Sequence, residues 1–323
     1  MLRQLVLSNF TIFAATHLQF SPGLNVFLGA NGLGKSHLLR VAYALSAAGR
    51  EALPRPEANR AYGQRLLRVF QADRLGQLVR HGASGAALQL FFDDRTLDCT
   101  LRFGPASRHR VNISTLPTRP NPLRPLLLPA RELLSLYPLL QRPELAAHFD
   151  DCYQQAAEAL ARPPHRPPPA FLSEALPGEL QLHHGGFRWQ SPEGPLAISL
   201  LAEGQRKIAL LGRLWANGSL DPGTVLFWDE PESHLNPQLL RLVARLLLEL
   251  AGAGVQILLA THSLFLLREL ELLAPPHVSY FGLRRSAEGI SVESSPAAGA
   301  LAEVLLLDEE LAQAERYLEG DDG

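Results

Sequence analysis

Lysine, cysteine and methionine are scarce in this chain. Of the 30 lysine and arginine residues only Lys35 and Lys207 are lysine, and the 323 residues include two cysteines and one methionine. Cys99 and Cys152 lack the spacing of a metal site, and two isolated thiols favour a reducing compartment with no disulfide. Because arginine supplies nearly every other positive charge, the two lysines mark positions that need a compact ammonium group, and both become candidate ligand contacts.

Long hydrophobic runs are also missing. No apolar run reaches the roughly eighteen residues of a membrane span, and residues 1–10 lack the apolar core and cleavage site of a signal peptide. We therefore expect a cytoplasmic protein with no membrane association. The hydrophobic content of 46% is enough for a large core, in one elaborated domain or in one domain with an inserted subdomain.

The formal net charge of −2 hides an uneven distribution of charge. Residues 99–131 contain six arginines and no acidic residue, whereas residues 288–323 contain ten acidic residues and one basic residue, Arg316. This pattern predicts a basic face and an acidic C-terminal segment. The basic face is interpreted either as a docking surface for nucleic acid or protein, or as an ordinary solvated insertion in an arginine-rich chain.

A glycine-rich loop lies between an apolar run and a helical pattern. It begins at Gly29, directly after the apolar run 24–28, and ends in Gly-Lys-Ser. In a P-loop, backbone N–H groups wrap the phosphates, the lysine reaches the terminal phosphates and the hydroxyl binds Mg²⁺. We therefore expect a nucleoside triphosphate, ATP or GTP, with Mg²⁺. The predicted contacts are Gly29, Asn31, Gly32, Gly34, Lys35 and Ser36, with Ser36 also a metal ligand.

Two adjacent acids follow a second wholly apolar strand pattern, residues 224–228. Asp229 and Glu230 would be costly at the end of a buried strand unless they meet a cation or take part in chemistry. There Asp229 can hold Mg²⁺, and Glu230 can act as the general base for hydrolysis. His262 ends the next predicted strand, so it can lie beside Glu230 and orient the attacking water.

The apolar periodicity predicts alternating strands and helices, and hence a three-layer α/β P-loop fold with a mainly parallel core sheet and an antiparallel N-terminal element. The other expected elements are a hairpin at 86–103, strands at 255–260 and 278–283, and helices at 36–48, 131–141, 143–161, 203–216, 237–251, from 264 onward and at 300–318. The proposed divisions are an N-terminal ATPase part at 1–103, an inserted Pro/Arg-rich helical lid at 104–175, a C-terminal ATPase part at 176–285 and an acidic segment at 286–323.

The order of these motifs resembles that of ABC-type ATPases. The sequence LAEGQ, which begins at Leu201, stands where that family has the signature LSGGQ, and Glu203 replaces the first signature glycine. In the family this segment caps the γ-phosphate of ATP bound to the partner subunit. The resemblance therefore implies a homodimer or higher oligomer formed around ATP, with nucleotide contacts from Gly204, Arg206 and Lys207.

Three further segments look like the RecF, SMC and OLD-nuclease branch of these ATPases. They are LVLSNFTIF near the N-terminus, the strand leading into the P-loop, and Glu232 followed by His234 to Pro237. OLD-type nucleases carry a C-terminal Toprim domain, for which the stretch after His262 is too short. The resemblance therefore implies a stand-alone ATPase subunit that accompanies a nuclease or other effector, often in phage defence.

Two other functional hypotheses remain. Because Glu203 departs from the signature, the chain could be a scaffold that binds nucleotide without hydrolysing it. A transporter subunit would need a membrane partner, and the Arg- and Pro-rich lid argues against it. The family also has a glutamine that contacts Mg²⁺ and the γ-phosphate; Gln71 and Gln77 are the candidates, and a structural role is favoured for both.

Overall fold

Strands and helices alternate along most of the chain. The computed structural model describes residues 1–273, 277–286, 289–301 and 316–317. The described strands are β1 (Leu2–Phe10), β2 (Phe13–Gln19), β3 (Leu24–Leu28), β4 (Ala86–Phe92), β5 (Cys99–Phe103), β6 (Asn112–Thr115), β7 (Arg124–Leu128), β8 (Glu179–His183), β9 (Gly186–Ser191), β10 (Gly194–Ala197), β11 (Thr224–Asp229), β12 (Gln256–Thr261), β13 (Val278–Ser286) and β14 (Gly289–Ser295). The described α-helices are α1 (Lys35–Ala48), α2 (Arg55–Phe70), α3 (Leu133–Leu140), α4 (Pro143–Ala146), α5 (Asp151–Ala161), α6 (Ala170–Ala175), α7 (Glu203–Ala216), α8 (Pro237–Gly252) and α9 (Leu264–Leu272).

Within the described residues, the strands form three sheets. The central sheet has the order β14-β13-β3-β12-β11-β7, and its strands are parallel except for β14 at one edge. A five-stranded antiparallel sheet has the order β2-β1-β4-β5-β6. A small antiparallel sheet, β10-β9-β8, precedes α7. The expected α/β class, with a mainly parallel core sheet and an N-terminal antiparallel element, is confirmed.

The central sheet is covered on both faces, which explains its apolar strands. In β11, Leu226 and Trp228 face a core shared with α7, α8 and α9, whereas Val225 and Phe227 face a core shared with α1 and the five-stranded sheet. Successive strand residues point to opposite faces, so a strand buried on both sides must be apolar throughout. The result is a three-layer arrangement that leaves the strand ends as the places for polar side chains.

The carboxyl ends of four neighbouring parallel strands form one edge of this sheet. In the register, Leu28 of β3 pairs with Thr261 of β12, and Ala260 of β12 pairs with Asp229 of β11. Trp228 of β11 pairs in turn with Leu128 of β7. The loops that follow these four strands therefore emerge side by side, as ligand-binding loops do in open α/β sheets.

The segment expected to be a helical lid, 104–175, is only partly helical. Helices α3 to α6 do occupy its second half, but its first half contains β6 and β7, and β7 is an edge strand of the central sheet. This corrects the expected lid. The second residue of β7, Pro125, has no N–H to donate, which is tolerated because β7 lies at the edge of the sheet.

The expected boundary at residue 285 divides a hairpin. β13 pairs antiparallel with β14, so the central sheet continues to Ser295. The helix expected at 300–318 lies almost entirely outside the described residues. In the described part of the chain, no helix combines the length and the apolar character needed to cross a bilayer.

Candidate functional site

The loop between β3 and α1 adopts a conformation that only glycine accommodates at two positions. Gly29 has φ 146° and Gly34 has φ 88°, both in the region that disfavours side chains. A Cβ on Gly34 would lie 2.7 Å from the ring of Phe13, and a Cβ on Gly29 would lie 2.8 Å from the carbonyl oxygen of Leu283. The other predicted loop residues, Asn31 and Gly32, are exposed. The loop thus forms a backbone cradle at the N-terminus of α1, where the N–H groups can donate hydrogen bonds to an anion.

Lys35 is folded into this loop. Its Nζ donates to the carbonyl oxygen of Gly29 at 2.6 Å and to that of Ala30 at 3.0 Å. Burial lowers the pKa of Lys35, and the nearby carboxylates of Glu230 and Asp229 act in the opposite direction. The ammonium therefore lies between the glycine-rich loop and the acids of β11.

Ser36 and Asp229 place two oxygen atoms together at the mouth of the cradle. Ser36 Oγ donates to Asp229 Oδ1 at 3.0 Å. Burial raises the pKa of Asp229, although the hydrogen bond from Ser36 favours the ionised form. A hydroxyl and a carboxylate suit Mg²⁺, which takes one or two protein oxygens and completes its octahedron with phosphates and water. Among the described residues there is no cluster of three His, Cys, Asp or Glu side chains that could hold a metal, so a metal here would depend on phosphate oxygens.

Glu230 and His262 lie beside each other at the ends of β11 and β12. His262 Nδ1 is 3.9 Å from Glu230 Oε1, and both side chains are partly exposed. The backbone of Glu230 is in the left-handed region, with φ 48°, while its N–H donates to the carbonyl oxygen of Ala260 at 2.9 Å. The chain therefore turns sharply after Asp229 and directs a carboxylate toward solvent beside an imidazole.

Glu232, which the sequence marks only as part of a family pattern, is a further functional candidate. Its Oε1 accepts hydrogen bonds from Thr261 Oγ1 at 2.8 Å and from the backbone N–H of His262 at 2.7 Å, and it lies 3.2 Å from His262 Nδ1. Its side chain is only 8% exposed. Glu232 thus fixes the end of β12 and the position of His262. The third acid of the sequence DEPE was the available signal, but its partner could not be identified without the fold.

Lys207, an expected nucleotide contact, is directed at the backbone of the acidic loop. Its Nζ donates to the carbonyl oxygens of Pro231 at 3.0 Å and Ser233 at 2.8 Å. Burial lowers the pKa of Lys207 to about 8. These hydrogen bonds connect α7 to the segment that carries Glu230 and Glu232.

The signature-like segment at the start of α7 also makes contacts inside the chain. Arg206 donates to Glu132 Oε2 and to the carbonyl oxygen of Leu201, both at 3.0 Å. A Cβ on Gly204 would lie 2.9 Å from the carbonyl oxygen of His234, and Glu203 Oε2 is 2.7 Å from His234 Nδ1. These contacts connect the segment to the loop after β11 rather than leaving it as a flexible arm.

The two candidate glutamines bond to other parts of the backbone. Gln71 Nε2 donates to the carbonyl oxygen of His148 at 3.0 Å, and Gln77 Oε1 accepts from the N–H of Asp73 at 2.9 Å. Neither follows a strand of the central sheet. Both side chains thus form hydrogen bonds within the chain, and the structural role favoured for them stays a prediction.

A family model matches residues 104–268, which is half of the chain. The chain belongs to the family described as "AAA domain, putative AbiEii toxin, Type IV TA system". The resemblance to ABC-type ATPases of the RecF/SMC branch that the motifs indicated is supported by this match and by the relatives that follow. The chain is 30% identical to the DNA replication and repair protein RecF of Renibacterium salmoninarum over 139 residues, which cover 42% of this chain and 27% of that protein. The match thus spans about a quarter of the length of that curated relative.

Solved structures of SMC head domains share the fold of this AAA-domain chain. The SMC head domain from Thermotoga maritima is 16% identical, with a TM-score of 0.55 over 92% of this chain and 99% of that chain. An SMC head bound to the C-terminal winged-helix domain of ScpA is also 16% identical, with a TM-score of 0.61 over 93% of this chain and 98% of that chain. At this identity the likeness establishes the fold alone.

Proposed function

We propose that this chain binds ATP with Mg²⁺ and hydrolyses it. The observation that carries the proposal is the contact of Ser36 Oγ with Asp229 Oδ1 at 3.0 Å, at the mouth of the glycine-rich loop and next to Glu230 and His262. One edge of the sheet thus brings together an anion cradle, a pair of oxygen ligands, a carboxylate and an imidazole. This set of groups suits phosphoryl transfer to water.

Each residue has a distinct part in the proposed reaction. The loop amides and Lys35 would bind the phosphates, and Ser36 and Asp229 would hold Mg²⁺, which would supply positive charge to neutralise the phosphates. Glu230 accepts the proton of the attacking water. Glu232 keeps His262 beside Glu230 through its hydrogen bonds to Thr261 Oγ1 and to the His262 N–H.

The proposal extends to an ATP-dependent homodimer that regulates a partner protein. It is supported by the position of the signature-like segment, in which Glu203 is partly exposed and paired with His234. In such a homodimer, Glu203 and His234 would contact the second copy of the chain. A nuclease or similar effector, in DNA repair or phage defence, is the proposed partner class.

A scaffold that binds ATP without hydrolysis is the second candidate. The specific observation in its favour is Glu203, a carboxylate at a segment expected to approach the phosphates of the opposite subunit. Like charges repel, so Glu203 would weaken that approach unless the pairing with His234 neutralises it.

Contact with nucleic acid is a further proposed property of the basic face. Two of its arginines are engaged inside the chain, because Arg119 pairs with Asp94 and Arg124 donates to the carbonyl oxygen of Pro222. The exposed remainder includes Arg102, Arg108 and Arg110. If these arginines bind phosphates, the affinity for duplex DNA should fall steeply as salt is raised, and a salt-independent affinity would contradict this reading.

The function is tested with Glu230→Gln, which keeps the size of the side chain and removes the base. We expect the turnover of ATP to fall by about 10²–10⁴-fold while ATP remains bound, and sedimentation of this variant with ATP should show a dimer. Glu144→Gln, an exposed acid of α4, is the matched control and should hydrolyse ATP at the rate of the original chain. Hydrolysis by Glu230→Gln at the original rate would show that Glu230 is not the base, and no turnover by the original chain would favour the scaffold.

A further inference from the structure

An arginine follows β7, the fourth of the parallel strands that end at the edge of the sheet where the site lies. β7 lies next to β11 in the central sheet, and its last residue, Leu128, pairs with Trp228, which directly precedes Asp229. The chain then continues through Pro129 and Ala130 to Arg131 before α3 begins. Arg131 therefore leaves the sheet at the same edge as the P-loop, the acids of β11 and His262, one strand away from Asp229.

The side chain of Arg131 is not used by the fold. It is exposed, and it forms no ion pair or hydrogen bond with any residue that the structure describes. The adjacent acid is engaged elsewhere, because Glu132 accepts from the N–H groups of Leu134 at 2.6 Å and Ser135 at 2.9 Å and pairs with Arg206. This guanidinium thus has five donors and no acceptor in the described part of the chain.

The backbone around Arg131 is nevertheless held in place. Residues 128–129 and 131–133 line a small cavity together with Lys207 and Trp228, and the cap formed by Glu132 fixes the start of α3. Burial raises the pKa of Tyr153 to about 12, and the charges that oppose this rise include Arg131 and Arg40. Arg40, one helical turn after Ser36, also favours the ionised form of Asp229. Arg131 and Arg40 thus both act electrostatically on Tyr153, so the loop after β7 lies within electrostatic range of α5 beside the site edge.

The site has more carboxylates than cationic side chains, so a further cation would be favourable there. The carboxylates of Glu230, Asp229 and Glu232 all act electrostatically on Lys35, whose ammonium also donates to two loop carbonyls. Enzymes that transfer a phosphoryl group must stabilise the negative charge that spreads over the oxygens of the terminal phosphate. The guanidinium of arginine is well suited to this task. Neither Gln71 nor Gln77 comes from a strand end of the central sheet, whereas Arg131 does.

We propose that Arg131 contacts the terminal phosphate of bound ATP and acts as a catalytic arginine supplied by the same chain. This inference rests on the proposed ATP-binding function. The segment after β7 would then supply a residue to the site, as the segments at the ends of β3, β11 and β12 do. This contact also predicts a specific discrimination, because a residue that binds the γ-phosphate favours ATP over ADP.

The test compares the affinities for Mg·ATP and Mg·ADP by calorimetry, in a Glu230→Gln background that prevents turnover. Arg131→Ala should weaken ATP binding roughly 10- to 100-fold, as expected for the loss of charge-assisted hydrogen bonds, and should leave ADP binding within about twofold. Arg131→Lys should restore part of the ATP affinity. The matched control is Arg142→Ala, an exposed arginine between α3 and α4, which should change neither affinity.

The possible outcomes separate this inference from the function on which it rests. If the parent protein binds ATP and Arg131→Ala binds it equally well, or loses ATP and ADP affinity in the same proportion, the contact with the terminal phosphate is refuted. If the parent protein binds neither nucleotide, the proposed function itself fails. Because Arg131 is exposed, both substitutions should retain the thermal unfolding midpoint of the parent, and Arg131→Lys provides a second folded variant.

Discussion

Asp229 is the residue at which stability and the proposed function oppose each other most directly. Burial disfavours its ionised form, and the hydrogen bond from Ser36 offsets only part of this effect, so the pKa of Asp229 is raised. A group with a raised acidic pKa retains its proton more readily in the folded than in the unfolded chain. At neutral pH its charge therefore destabilises the nucleotide-free protein, and a bound cation would reverse this effect.

We predict that Asp229→Asn stabilises the protein without nucleotide. The amide keeps the shape and can still accept from Ser36, but it carries no buried charge, so the free energy of unfolding at pH 7 should rise by about 1 kcal/mol. The gain should shrink as the pH falls through the pKa of Asp229, since the original carboxyl then becomes neutral as well. Urea denaturation at several pH values measures this, with Glu144→Gln as the neutral control. A variant that is less stable than the original chain at pH 7 would contradict the account.

Lys207 gives a second prediction, with the opposite dependence on pH. Its pKa is lowered to about 8 from the usual value near 10.4, so between these values the unfolded chain binds more protons than the folded one. The contribution of Lys207 to stability should therefore increase as pH rises through this window. The difference in the free energy of unfolding between the original chain and Lys207→Met should grow from pH 8 to pH 10.

Lys207→Arg is the control for this measurement, because arginine does not titrate in the same range. It should give the same pH-dependent difference as Lys207→Met. A difference that stays flat between pH 8 and pH 10 would show that the ammonium is not shielded from water as its contacts with Pro231 and Ser233 imply.

At the scale of elements, the parts of the chain with strong local signals were predictable. The expected helix 203–216 coincides with α7, and α8 begins after Asn236, whose Oδ1 accepts from the N–H of Leu239 at 2.9 Å. The signals for these elements are local in sequence: an uninterrupted apolar run indicates a strand covered on both faces, and a capping residue indicates the start of a helix. Such signals can be recognised without knowledge of the fold. The strand ends that carry Asp229 and His262 followed from the same signals.

The elements that were missed depend on tertiary context. The helix α2 is polar along much of its length, the short strands β8 and β9 bury residues on only one face each, and β10 has no buried residue. β7 contains a proline that only its place at the sheet edge permits. The same limit applies to the site, because the partners of Glu232 and Lys207 come from distant segments and no spacing in the sequence indicates them.

The packing of α7 against the loop after β11 provides a prediction for these elements. Gly204 lies so close to His234 and Leu239 that a Cβ would be 2.9 Å from an atom of each. Gly204→Ala should therefore lower the free energy of unfolding by about 1–3 kcal/mol, as overpacking does. Gly252→Ala, at the end of α8, meets no atom within 4 Å and should be neutral or slightly stabilising. Equal effects in thermal unfolding would show that α7 is not tightly seated on this loop.

At the scale of the whole molecule, the sheet order explains how distant motifs form one site. The P-loop, the acids of β11 and His262 are far apart in sequence, but their strands are adjacent in the order β3-β12-β11. β7 extends this edge by one strand. The covered faces of the sheet supply rigidity, and the strand ends supply the chemistry, which is the division expected for an open α/β sheet.

The central claim is that this edge of the sheet binds ATP through the glycine-rich loop. Its most direct test is a calorimetric titration of Mg·ATP into the original chain and into Lys35→Ala. The account predicts saturable binding by the original chain and an affinity at least about tenfold lower for Lys35→Ala, because the ammonium supplies charge-assisted hydrogen bonds to phosphate. No binding by the original chain, or the same affinity in both proteins, would contradict the claim.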